Sequence, residues 1–501
     1  MFTFITIFIV LYYVFLFIEL LINNYTHITF NSSVAKSNYE NKKETIKKEM
    51  IELNKQNEKI ISSRKEKGNS FNDPGENLFG KDKKQYKKAK KINLKPFTEI
   101  LELDEKKLTI DVEASTTFDK VIKFLERRNY QPVFTVDMYH ISIGGLIGGV
   151  GGGSSCAKNG AFHDSVLDMD VLTSDGKIHY CSPTENKNLF YSVANAYGSL
   201  GYILRVKLKI VKMEKYVKVK NLYFKNSKDY FNKIKELQSE KMKPTYDFLE
   251  GTIFNNKHLV LMVGKYTNTY KGRLLNTVNH KVYWRELRDV KPNVHYMTVD
   301  DYNWRWDVDG YYTTIDMGWF FNNDLLRPLM PRFLMNGRFL RPFAENYLGV
   351  DYKDGNMVND VLFPTEKSSE VLEWYDKEIG LYPMYICPIC PSNKSYLFNI
   401  PGDYVDFGIG YGVTADTTEK SIEWKKKIEK KMIEKNGVKL LYCKQWLKEN
   451  DFWNVYSNID AFKKNNESMK DKELSGKDVY DYLKKQYDPG NKFPSLYDKV
   501  S

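Results

Sequence analysis

The chain has 501 residues, of which 42% are apolar and 15% aromatic, and its 76 Lys/Arg against 64 Asp/Glu give a formal net charge of +12. That length and apolar content exclude a disordered chain and leave room for two or three domains of ~150 residues each. Five cysteines exclude a disulfide-dense secreted scaffold, and the positive charge admits an anionic partner without naming one.

The first 22 residues, MFTFITIFIVLYYVFLFIELLI, hold one charge, Glu19. As a helix they would span ~33 Å, about the thickness of a bilayer core. A cleaved signal peptide fits less well. There is no basic leader, and the nearest small-x-small site, Ser33-Val34-Ala35, lies well beyond the apolar run. The expectation is a transmembrane helix over 1–22 and a basic linker over 23–44. Between Lys36 and Lys95 there are 18 Lys/Arg and 9 Asp/Glu, while the 406 residues beyond carry only +4. The excess is juxtamembrane, which places the body of the protein on the cytosolic side. Sequons at Asn24, Asn31, Asn393 and Asn466 give the opposite topology a test, because glycans there would require it. The basic run lacks interleaved aromatics and any nucleic-acid-binding motif, so no nucleic-acid partner is expected; anionic lipid is the better match. Residues 41–67 read as a charged helix with Ile46, Met50, Leu53 and Ile60 on one face, stopped at Gly68.

After Pro96 the texture changes. Ile100 to Glu113 alternates as a hairpin around Asp104–Lys107. Phe118, Val121, Ile122 and Leu125 fall at helical spacing, with Thr116 and Asp119 as a capping box. A glycine-rich stretch at 144–153 precedes a strand from Met169 to Thr173, a turn at Asp175-Gly176 and a strand from Ile178 to Cys181. A helix over Glu185–Ala196 then leads through Gly198-Ser199-Leu200-Gly201 into a strand from Tyr202 to Val211. Beyond Met213 strands and helices alternate: a hairpin turns at Asn255-Asn256, and a Lys-rich amphipathic helix covers Thr418 to Glu434. The segment 463–478 is polar and reads as a loop insertion.

The glycine stretch carries the chemistry. Seven of residues 144–153 are glycine, between Ser142-Ile143 and Ser154-Ser155. Without Cβ atoms the backbone N–H groups can approach a polyanion, and the flanking hydroxyls add donors. The run is not a Rossmann fingerprint, since G-x-G-x-x-G fails in every register, and no GK[ST] makes it a Walker loop. A phosphate-bearing ligand is expected, bound in neither of those two ways.

The segment HISIGGLIGGVGGGSSCAKNGAFHDSVLDMDVLTSDGKIHYCSPTENKNLFYSVANAYGSLGYILRVKLKIV resembles the flavin-binding domain of the FAD-linked oxidases, the PCMH or vanillyl-alcohol-oxidase type. VNDVLFP at 358–364, YPMYICP at 382–388, DFGIGYG at 406–412, LLYCKQWLKENDFWNVY and FPSLYDKV are similar to the Δ24-sterol reductase branch of that family. The resemblance implies an α+β protein, with a two-part PCMH-type FAD-binding domain over 45–212 and an α+β substrate-binding domain over 213–501. It implies that Ser142, Ile143, Gly144, Gly145 and Gly149 form the pyrophosphate loop and that Ser154, Ser155 and Gly160 continue it. Gly198, Gly201, Ile203 and Val206 match the later segment along the flavin. No R-S-G-G-H pattern is present and His140 lies off it, so FAD is expected to be non-covalent. The early flavin loop corresponds to Asn72-Asp73-Pro74-Gly75-Glu76, whose two acids sit where phosphates are expected and oppose them.

The implied activity is reduction of a C=C bond in the side chain of a sterol or isoprenoid, with NADPH as reductant, at the endoplasmic reticulum membrane with the catalytic body cytosolic. An isolated alkene accepts hydride poorly, so the reaction needs an acid on one side of the olefin and the flavin on the other. Asp360 is the first candidate acid, with Tyr382 and Tyr385 as alternatives and Asp406 and Tyr411 behind them. Cys387-x-x-Cys390 has no second ligand pair for zinc and reads as strand packing, and His163 reads as structural. Tyr302, Trp304, Trp306 and Tyr311 either line a sterol groove or fill core. Two other functions stay open on the sequence: an FAD oxidase or dehydrogenase of a sugar alcohol, lactone or hydroxy acid, and a membrane-tethered binding protein without catalysis.

Overall fold

The computed structural model describes residue 14 and residues 30–63, 88–138, 140–278, 280–290, 293–315, 318–329, 335, 355–392 and 394–501. The transmembrane segment read over 1–22 (Val14 aside) and the early flavin loop at 72–76 lie outside the described residues. Among the described residues no helix is long and apolar enough to cross a membrane.

The amino-terminal part opens with helix α1 (Ser32–Asn54), which Asn31 caps by accepting from the Ser33 and Val34 amides. Residues 32–44, read as linker, therefore lie within a packed helix. It buries Tyr39, Ile46 and Met50, an apolar contribution of about 1.5–3 kcal/mol per side chain. The helix ends before Ile60. That residue instead opens strand β1 (Ile60–Ser63), parallel to β2 (Lys90–Asn93). The apolar spacing that suggested one continuous helix is interrupted because the Ile60 amide is taken by Lys492 O at 2.8 Å, a partner from the far end of the sequence.

Next come β3 (Ile100–Asp104), β4 (Thr109–Glu113), helix α2 (Phe118–Glu126) and β5 (Tyr130–Pro132). The hairpin forms where the alternation placed it. The cap of α2 is Thr117, whose hydroxyl makes no capping bond. Thr116 is buried, and its carbonyl accepts from Ile143, so the expected capping box is absent. Short helix α3 (Ile143–Gly148) holds the first half of the glycine run, and short helix α4 (Cys156–Asn159) follows it. Then follow β6 (Val166–Leu172), β7 (Ile178–Cys181), helix α5 (Lys187–Ser192), which is shorter than the pattern suggested, and β8 (Tyr202–Lys212). The first sheet has the order β3-β4-β8-β6-β7, with β5 also on β8. Alternate residues of β8 face the core (Leu204, Val206, Leu208, Ile210), paired with β4 and β6.

The second sheet is antiparallel throughout. It comprises β9 (Tyr216–Phe224), β10 (Phe248–Asn255), β11 (His258–Thr267), β12 (Val294–Thr298), β13 (Asn359–Pro364), β14 (Met384–Ile389), β15 (Tyr404–Ile409) and β16 (Val438–Lys439), in the order β12-β9-β11-β10-β14-β15-β13-β16. Helices α6 (Ser227–Gln238) and α7 (Ser368–Glu378) pack against each other, and α8 (Thr418–Glu434) packs on β13 and β16. Helix α9 (Gly476–Tyr487), with a Ser475/Asp478 capping box, returns the carboxy-terminal region to α5 of the first part. The polar stretch 463–478 therefore includes the end of one helix and the start of α9.

Candidate active site

The glycine run builds one wall of a cavity of about 870 Å³, within the usual size for a cofactor or ligand site. Ser142 caps α3 by accepting from the Gly145 amide at 3.3 Å. A Cβ on Gly144 would sit 3.1 Å from Ala114 Cβ, and one on Gly153 only 2.3 Å from Thr135 O. Those two glycines let the run press onto the sheet. At Gly148, by contrast, a Cβ would meet nothing within 4 Å, and the residue lines the cavity. Gly148→Val is expected to leave the melting temperature unchanged and to lower FAD affinity by about tenfold or more, because the added methyls enter ligand space rather than protein.

Of the residues matched to the flavin loops, Ser142, Gly144, Gly145, Gly149, Gly198, Gly201 and Ile203 line the cavity. The others do not. Ile143 is fully buried core. Val206 faces the core because it lies three residues from Ile203 on a strand of period two. The Ser154 carbonyl accepts from Leu249, Ser155 Oγ accepts from the Thr135 amide at 3.1 Å, and Gly160 turns at φ 78° against Asp164. Those residues buttress the loop from behind.

The opposite wall comes from the second sheet. Asp360, Gly408 and Tyr385 are register partners across β13, β15 and β14, and Leu362, Asp406 and Cys387 form the next row on that face. Asp360, Tyr385, Cys387, Asp406, Tyr411, Tyr442 and Tyr311 line the cavity. Gly408 makes room for Tyr411: a Cβ there would lie 2.7 Å from the Tyr411 ring. Tyr411 OH donates to Asp360 Oδ2 at 2.6 Å and contacts Tyr442 OH at 2.9 Å. The other oxygen, Oδ1, is buried with no hydrogen-bond partner among the described residues, as is Asp406 Oδ1. Burial pushes the Asp360 carboxyl up to about 7, against the smaller opposite effect of the Tyr411 hydrogen bond. Burial, together with the Asp360 and Cys387 charges, raises Asp406 further. A carboxylic acid that keeps its proton near neutrality in the lining of a ligand cavity is equipped to donate.

Tyr385 sits beside a second buried network that the sequence did not announce. Its hydroxyl lies 3.1 Å from both Asp137 Oδ2 and Glu250 Oε2. Arg305 holds Glu250 through Nε and Nη2 at 2.9 and 2.6 Å, and Trp306 Nε1 adds a bond at 2.9 Å. Burial raises Asp137 to about 6, while Arg305 opposes the shift. Tyr311, at φ 59°, donates to Asp137 and stacks between Trp306 and Tyr411, with ring centroids 5.4 and 4.5 Å away. Non-glycine residues held in that backbone region cluster at functional sites. Within the aromatic cluster Tyr311 lines the cavity, whereas Tyr302, Trp304 and Trp306 are buried core.

Tyr382 is not in the site. It precedes β14, and its hydroxyl bonds Asp376 at 3.1 Å. His163 is buried against Ser392 Oγ, and burial lowers its pKa. Cys387 donates to Gly153 O at 3.1 Å, so that thiol packs the strand against the glycine run. His140 lines the cavity 3.8 Å from Asp119. The open space at Gly148, the glycine lining and the hydroxyl at Ser142 fit a flavin dinucleotide, with Ser142, Gly145, Gly148, Gly149, Gly198 and Gly201 as its cradle.

A family model described as an FAD binding domain matches residues 75–182. Fold, cavity and match together define an FAD-dependent oxidoreductase. Over 435 residues the protein is 24% identical to the Delta(24)-sterol reductase of Mus musculus, an alignment spanning 83% of the present sequence and 78% of that protein. The values are 24% over 442 residues for the Delta(24)-sterol reductase of Homo sapiens and 24% over 417 residues for that of Arabidopsis thaliana, spanning 74% and 73%. The protein thus matches an FAD binding domain over residues 75–182 and is similar over most of its length to Delta(24)-sterol reductases.

Proposed function

We propose that the enzyme reduces a C=C bond in the side chain of a sterol or related isoprenoid, with NADPH as electron source and non-covalent FAD, while held at the endoplasmic reticulum membrane by its amino-terminal apolar segment, with the catalytic body cytosolic. The observation that carries this reading is Asp360, a buried acid held by Tyr411 through one carboxyl oxygen, in the lining of the same cavity as the glycine cradle. FAD, bound in the glycine cradle and reduced by NADPH, would supply the hydride. Asp360 supplies the proton to the alkene carbon that the hydride does not reach, and Tyr411 fixes the carboxyl plane. Tyr311, Tyr385 and Tyr411 give the site the aromatic lining that an apolar substrate requires.

The test is spectroscopic. The purified full-length protein should carry flavin absorbance that NADPH bleaches anaerobically and that an alkene-bearing sterol, but not its saturated counterpart, restores. Re-oxidation by oxygen with a polyol or hydroxy acid as electron donor would instead identify an oxidase, and absence of flavin binding would identify a non-catalytic binding protein.

A further inference from the structure

The turn over residues 195–201 joins the two cofactor-facing loops. The Asn195 and Tyr197 amides donate to Ile147 O and Gly148 O at 3.4 and 3.3 Å, at the end of α3. Tyr197, Gly198 and Gly201 line the cavity. The turn holds three left-handed residues in four, Asn195 at φ 63°, Tyr197 at φ 49° and Gly198 at φ 73°. Such a backbone persists only where its surroundings over-determine it.

The fixing groups come from the far end of the sequence. Lys499, 6% exposed, donates through Nζ to Tyr197 O at 2.7 Å, and a Cβ on Gly198 would lie 3.7 Å from that ammonium. Lys484, 9% exposed, donates to Ser199 O at 2.8 Å, to Asp488 Oδ2 at 2.6 Å and to Phe493 O at 2.9 Å. Asp488 in turn accepts from the Phe493 and Lys492 amides, and the Phe493 ring meets Tyr202, the first residue of β8, at 4.9 Å. Buried ammonium groups are costly unless fully bonded. Here two of them bond neighbouring carbonyls of the turn, 302 and 285 residues away in sequence.

We propose that the carboxy-terminal segment is part of the cofactor site, with Lys499 and Lys484 as positioning residues that hold the Tyr197–Gly201 turn in its FAD-binding shape. This rests on the FAD reading above and goes beyond it by assigning cofactor affinity to a segment outside the flavin-domain match. The lysines touch no cofactor. They fix the carbonyls of one face of the turn, so that its other face keeps its shape toward the cavity.

The experiment titrates FAD into full-length apoprotein by flavin fluorescence and follows the melting temperature of the same apoprotein. Lys499→Met is expected to raise the FAD Kd about tenfold, to alter the visible circular dichroism of bound flavin and to retain kcat at saturating FAD. Lys484→Met should act in the same direction. Lys477→Met, on the same helix but paired with Asp481 at the surface, should change none of these. Val479→Ala, a core change in α9, serves as the stability-matched control. The proposal is overturned if Lys499→Met leaves Kd within twofold of the parent, or if Val479→Ala raises Kd equally at an equal loss of melting temperature. Failure of the parent protein to bind FAD sinks the FAD reading itself, a result distinct from either.

Discussion

Asp360→Asn is expected to leave FAD bound and to lower alkene-dependent re-oxidation of the reduced enzyme by about 10²–10⁴-fold, the usual contribution of a positioned general acid. The amide keeps the shape and can still accept from Tyr411, but has no acidic proton to give. Reduction by NADPH, which needs no acid at that carbon, should persist. The pH dependence follows from the same group. With Asp360 pushed up to about 7, the proton-bearing form dominates below that value, so turnover falls as pH rises through 7. Tyr411→Phe removes the one hydrogen bond that lowers this pKa, and the alkaline limb should move upward. The stability effect has a definite sign. Between the ordinary carboxylate value of 3.8 and about 7 the folded state holds a proton that the unfolded state has lost. Asp360 therefore makes stability fall with rising pH across that window, by up to about 1.4 kcal/mol per unit. Asp360→Asn should flatten that slope. Full alkene reduction by Asp360→Asn would remove the assignment.

Arg305→Met carries the largest expected effect on stability. The guanidinium is 1% exposed and is bonded to Glu250, whose side chain is fully buried, with Asp137 at 3.4 Å. Removing it leaves two carboxylates facing Tyr385 without a cation, and breaking such a buried pair destabilises by about 3–5 kcal/mol. The double variant Arg305→Met/Glu250→Gln should recover a large part of that loss, because no uncompensated charge remains between them. Denaturant unfolding of the four proteins in the cycle measures it. A single Arg305→Met that unfolds at the parent's midpoint would show that the network carries no net stability.

Much of the site was legible where its signal is local. Glycine's freedom from Cβ contact belongs to the residue itself, so the run at 144–153 announced a ligand wall without any tertiary information, while Gly198 and Gly201 followed from the family resemblance. Hairpin alternation over Ile100–Glu113 and the amphipathic spacing over Thr418–Glu434 reproduced the observed elements because periods of two and 3.6 are properties of short windows. Ile143, Val206 and Tyr382 were assigned to the site by motif position, and the structure turns their side chains elsewhere.

What tertiary structure alone decided is which distant groups share a dry space. Asp360 meets Tyr411 across 51 residues, and Tyr385 meets Asp137 across 248. Those meetings are set by the register of β13, β15 and β14 and by the docking of one sheet's wall against the other's. The sequence by itself determined a glycine-built ligand wall, an apolar amino-terminal run and an alternating α+β body, and its resemblance put Asp360 first among the candidate acids. Burial raises Asp360, Asp406 and Asp137 alike by loss of water, and the Tyr411 hydrogen bond marks Asp360 among them; both belong to the assembled walls rather than to any window of the sequence.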